Sequence, residues 1–149
     1  MKQSILMGLV GGQRAFTPLA VVAVAAARGE LRRDHGAPRL IGHPLVAGGL
    51  TLLAAAEMAG DKMASAPDRV VPPGLAARFV TSALAGAALA PRQRRWAAAA
   101  AGGTAALAAS YVGWRARLKA MERSGQSATG FIEDAAVLGA AAYVLRQKP

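Results

Sequence analysis

Five apolar stretches, with charge swept into the connections between them, constrain this chain more than any other feature. They are Gln3–Ala27, Leu40–Gly60, Leu75–Pro91, Trp96–Trp114 and Ala128–Leu145. Each approaches the roughly 20 apolar residues that a helix needs to cross a hydrocarbon core of about 30 Å. A surface helix of a soluble protein carries polar residues along one whole face at a period of 3.6. These stretches are apolar all round, and residues 28–39, 61–74, 91–95 and 115–126 hold most of the ionisable side chains. The pattern predicts an all-α chain forming a single integral membrane domain over residues 1–149. Its architecture would be a polytopic bundle of about five transmembrane helices plus a short interfacial helix.

Composition narrows the function classes. Hydrophobic residues make up 54% of the chain and charged ones 17%, which excludes the composition of a disordered chain. Alanine is abundant and nearly neutral for membrane insertion, so Trp96–Ser110, with a single leucine, has a weaker signal than its length suggests. With no cysteine there is no disulfide framework, thiolate metal site or cysteine nucleophile. Two histidines, His35 and His43, leave little material for a metal centre. No phosphate loop, nucleophile elbow or HExxH is present, so neither enzymatic activity nor a cofactor is expected. The net charge of +10 raises a basic soluble nucleic-acid binder as an alternative. The cations, however, lie between apolar runs without an aromatic-interleaved basic stripe, so the expected partner is a lipid bilayer and not nucleic acid.

The first stretch begins like a signal peptide, but Arg14 interrupts it and the apolar run resumes to Ala27, so an uncleaved segment is expected. Gly11, Gly12, Arg14 and Pro18 lie within eight residues, and Pro18 deprives the Arg14 carbonyl of its usual helical donor. This segment is expected to be broken or re-entrant. If all five stretches cross, the Lys/Arg on alternate sides number 7 and 9, which sets no orientation. A re-entrant first segment changes the split to 10 against 6. Small residues spaced by four mark candidate packing faces: Gly8 and Gly12; Ser82, Gly86 and Ala90; Ala98, Gly102 and Ala106; Ala135 and Gly139. A second copy of the chain is a candidate partner.

Charges at membrane depth are costly and invite explanation. Arg14 lies near the middle of its stretch, Glu57 and Asp61 share a helical face with Lys62 following, and Glu133 and Asp134 are too short-stemmed to reach the interface. Arg78 is placed near a span end, where it can snorkel. Together Arg14, Glu57, Asp61, Lys62, Arg78, Glu133 and Asp134 form a candidate intramembrane polar site. Arg115, Lys119 and Arg123 surround the apolar face of the expected interfacial helix and are candidate lipid-headgroup contacts. Arg14-Ala-Phe-Thr17 and Arg78-Phe-Val-Thr81 also echo one another, as in an internal repeat.

Several of these segments resemble a known family. Gly12-Gln-Arg14-Ala-Phe-Thr-Pro18-Leu, Glu57-Met-Ala-Gly-Asp61-Lys62, Ala77-Arg78 with Ala85-Gly86-Ala87, Lys119-Ala-Met-Glu-Arg123 and Glu133-Asp134 occur in an order similar to that of the bacterial membrane proteins grouped as domain of unknown function 4126. Phe79 and Trp114 depart from that pattern, as does the short stretch between Arg123 and Glu133. The resemblance implies a multi-pass protein of the bacterial cytoplasmic membrane, and it carries no activity. Two functions remain open: a transporter or channel-like protein for a small solute or ion, or a non-catalytic scaffold or accessory subunit whose charges are structural pairs.

Overall fold

The first apolar stretch is not one helix. In the computed structural model, which describes residues 1–61, 71–124 and 126–147, it divides into α1 (Lys2–Gly11) and α2 (Thr17–Ala27). Gly12 to Phe16 lie between them. Pro18 sits in the first turn of α2, where its missing N–H costs nothing. At 1.5 Å per residue the two helices are only about 15 and 16 Å long, roughly half a bilayer core each. They form a hairpin whose outer ends meet. Gln3 near the start of α1 and Ala25 near the end of α2 border one small cavity with Leu89 and Leu145.

Four longer helices follow: α3 (Pro44–Gly60), α4 (Pro72–Ala88), α5 (Arg95–Ser124) and α6 (Gln126–Arg146). Prolines open α3 and α4, and His43 caps α3 by accepting the Leu45 N–H at 3.3 Å through Nδ1. Short 3-10 turns at Arg39–Gly42 and Arg92–Arg94 lead into α3 and α5. The fold is all-helical among the described residues, apart from one isolated bridge between His35 and Pro91. That bridge, with Gly36 N–H donating to the Ala90 carbonyl at 2.8 Å and Arg92 N–H to the Asp34 carbonyl at 2.8 Å, docks the 28–39 connection on the α4–α5 link. Gln3 Nε2 donates to the carbonyls of Val144 and Gln147. The start of α1, the end of α2, the α4–α5 link and the end of α6 therefore share one end of the bundle.

α1 packs against α4 and α5 at backbone distance. A β-carbon on Gly102 would lie 2.7 Å from the Ser82 carbonyl oxygen and 3.3 Å from that of Ser4; one on Gly86 would lie 2.6 Å from the Ala98 carbonyl oxygen. Gly8 and Gly12 meet Gly102, Ala106 and Ala109 across the same seam, which accounts for the first three small-residue ladders. Ser4 Oγ crosses it to the Gly86 carbonyl at 2.9 Å. The fourth ladder is not a packing face: Ala135 and Gly139 are exposed, and a β-carbon on Gly139 meets nothing within 4 Å. α6 turns its Val137–Ala141–Val144 side inward instead.

A set of buried polar side chains runs through the mainly apolar core, and large apolar side chains face outward. Ser4, Arg14, Thr17, Arg78, Thr81, Ser82, Ser110 and Asp134 are buried, whereas Leu45, Leu52, Val112, Phe131 and Ile132 are more than 60% exposed. Among the described residues, one helix combines the length and hydropathy of a span: Ala128–Arg146, 19 residues at mean hydropathy 1.4. α2 and α3 are apolar but shorter.

Two expectations are corrected. No separate interfacial helix exists at residues 115–123, because Ala116, Leu118, Lys119, Ala120 and Met121 are strong helix formers and nothing between Gly113 and Ser124 breaks the run. α5 continues through them for 30 residues. Arg78 does not snorkel: it is only 6% exposed, because it lies on the α4 face that turns toward the bundle interior with Thr81 and Ser82.

Candidate functional site

A helix broken in an apolar setting leaves donors and acceptors that need partners. Here the neighbouring helices supply them. Glu57, three turns into α3, accepts the Ala15 N–H at 2.7 Å on one carboxylate oxygen and the Phe16 N–H at 2.9 Å on the other. Its charge faces the positive N-terminal end of α2, the favourable sense for the helix dipole. From α4, Thr81 Oγ1 donates to the Ala15 carbonyl at 2.6 Å. Ser110 Oγ on α5 donates to the Gly12 carbonyl at 3.2 Å, and Gln13 Nε2 returns a bond to the Ala109 carbonyl at 3.1 Å. Three helices thus contribute hydrogen bonds to the junction.

Arg14 projects from this junction and is 1% exposed. Its Nε donates to Asp134 Oδ1 at 2.8 Å, while Nη2 forms ion pairs with the same oxygen at 2.7 Å and with Asp61 Oδ2 at 2.9 Å. Asp61 is also 2.7 Å from Nη1 of Arg117, which pairs with Glu133 at 2.8 Å. The chain of contacts runs Asp134–Arg14–Asp61–Arg117–Glu133 and ties the α1–α2 junction to the ends of α3 and α5 and the first turns of α6. Adjacent residues Glu133 and Asp134 point about 100° apart on a helix, so each meets a different arginine.

The network has a sealed half and an accessible half. Arg14 lies inside, whereas Arg117 and Glu133 line an apolar cleft of about 600 Å³ between α1, α5 and α6, together with Gln13 and Thr129. Leu9, Val112 and Ile132 form its open rim. The arrangement can hold a small polar or charged group against Arg117 and Glu133 while its remainder rests on apolar walls. Among the described residues, no group of three acidic or histidine side chains is gathered as a metal cage.

Of the seven expected site residues, Arg14, Glu57, Asp61, Glu133 and Asp134 come together here. Arg78 is buried in α4 one turn before Thr81, beside the same junction. Lys62 lies outside the described residues. Arg115 and Lys119 are exposed on the far third of α5, and the Arg123 side chain is outside the described set. Sequence reasoning missed Arg117, having assigned it to a connection. The available signal was the seam of α5: Gly102, Ala106, Ala109 and Gly113 continue at the same spacing to Arg117, away from Arg115 and Lys119. Both histidines serve turns, His35 through Nδ1 accepting the Ala37 N–H at 3.2 Å.

No protein-family model, curated protein or solved structure matches the chain.

Proposed function

We propose that this chain is a multi-pass membrane protein that admits a small ion or solute to the Arg117–Glu133 edge of its buried charge network. The observation that carries the reading is the half-length α1–α2 hairpin, whose arms are each too short to cross a bilayer and which would therefore turn within it beside that network. Irregular backbone is tolerated at such depth where protein covers it or a cavity lines it, and membrane carriers place binding sites at broken helices. The outward-facing leucines and aromatics support a lipid surround, since a soluble surface of this size rarely exposes so much apolar area. The resemblance to domain of unknown function 4126 adds a bacterial cytoplasmic membrane as the location.

The re-entrant hairpin favours the 10-against-6 division of cations, with both termini and the arginine-bearing connections at 28–39 and 91–95 on the cytoplasmic side. α3, α4, α5 and α6 then make four crossings. The test has two stages. Membranes washed with carbonate and then urea should retain the protein; release into the supernatant overturns the membrane reading. Purified protein in liposomes should then pass protons or small neutral solutes, with Glu133→Gln lowering the flux while the protein stays folded.

A second reading, a scaffold or accessory subunit, is favoured by the fact that Arg14 and Arg117 each contact two carboxylates of the protein itself. Wild-type liposomes that pass none of the solutes would establish this reading in place of the first.

A further inference from the structure

A second cleft, of about 470 Å³, runs along the full length of α2 between α3 and α6. α3 and α6 each pack against α2, and the cleft lies between them. Val21 and Val24 form its floor and Leu138 and Leu145 one wall. Arg28 and Arg146 stand at its outer end, which is the end shared by both termini.

We infer that this cleft holds one acyl chain of an anionic phospholipid, with the lipid phosphate between Arg28 and Arg146. This rests on the membrane reading above. The shape suits an extended acyl chain. The groove follows α2 for roughly 16 Å and is lined mainly by alanine, valine and leucine up to the two arginines. Charge argues for an anionic headgroup. Glu30 is the carboxylate at the mouth, and its contact with Arg28 is 3.9 Å long between two exposed side chains, too weak to hold that arginine against a phosphate. The guanidinium groups lie where the apolar walls end, the register in which a phospholipid places its phosphate above its chains.

The test uses full-length protein extracted in mild detergent, with retained lipid counted by native mass spectrometry and affinity followed by titration. The probes are phosphatidylglycerol, phosphatidylcholine of the same chains, and inorganic phosphate. Wild type should keep phosphatidylglycerol in preference to phosphatidylcholine. Arg28→Gln/Arg146→Gln, at an exposed mouth, should weaken phosphatidylglycerol by about thirtyfold, the effect of two cations near a membrane surface. Ala55→Phe should fill the cleft from α3 and displace the lipid with both arginines present. Equal retention of the two lipids, unchanged affinity in the double variant, or equal protection by inorganic phosphate overturns the assignment. A protein that survives the carbonate wash yet behaves so overturns the cleft alone; one released by the wash overturns the membrane reading first.

Discussion

The two sides of this bundle are held together by opposite means. On the α1–α4–α5 side, Gly8, Gly86 and Gly102 bring backbones into contact, and shape does the work. On the α6 side two clefts flank the helix, and α6 is fastened by Asp134 and Glu133 to Arg14 and Arg117, and by Gln3 at its far end. The difference shows where the molecule can change. A seam with no spare volume resists displacement, whereas α6, packed inward along Val137, Ala141 and Val144 but open on both flanks, can shift when a ligand competes for its ionic contacts.

The largest expected effect comes from breaking the charged side. Arg14→Met leaves Asp134 and Asp61 without a shared cation and should cost about 3–5 kcal/mol in detergent-driven unfolding, the range for a severed buried pair. Adding Asp134→Leu should recover most of that loss. Absence of recovery would show that the two residues are not coupled.

The seam should be nearly as sensitive to added volume. Gly102→Leu forces a side chain into the α1 and α4 backbones and should cost about 3 kcal/mol, the upper end for overpacking. Gly139→Leu, on the open face of α6, should stay within about 0.5 kcal/mol of wild type, as surface changes do. Equal effects would abolish the distinction between the sides.

The junction between them is intermediate. Glu57→Gln keeps one carbonyl acceptor for two N–H groups and should cost about 1–3 kcal/mol, the penalty of a buried group left unsatisfied. Thr81→Val, which removes one bond to the Ala15 carbonyl, should cost about 1 kcal/mol.

Much of this was legible in the sequence. Three of the five apolar stretches match α3, α4 and α6 to within about four residues, the fourth ends ten residues short of α5, and the first is two helices whose break the Gly-Gly, Arg and Pro cluster marked. The buried charges stood out because an apolar run makes any ionisable residue conspicuous. Arg117 did not stand out, since it lies among other cations and only its helical phase distinguishes it. The partners of Arg14 were not legible either: the sequence gives its depth but not which carboxylate faces it. Span length was the least transferable expectation, because alanine and glycine make α5 long without making it strongly apolar.

The smallest effect lies outside the bundle. Arg32 donates to the Asp34 carboxylate and holds it below the ordinary aspartate value. The folded form therefore gains from this contact above that ordinary value and loses it as pH falls through the lowered one. Asp34→Asn should slightly lower the neutral plateau while leaving stability at the acid end unchanged, which flattens the acid limb.

The re-entrant hairpin is the most exposed claim, and the absence of native cysteine makes it directly measurable. Single cysteines at Lys2, Arg33 and Lys119 can be reacted with a membrane-impermeant thiol reagent in sealed vesicles of each orientation. Lys2→Cys and Arg33→Cys should label from the same, cytoplasmic side, and Lys119→Cys from the other. Labelling of Lys2→Cys and Arg33→Cys from opposite sides would mean that residues 2–27 cross as one span and would contradict the account.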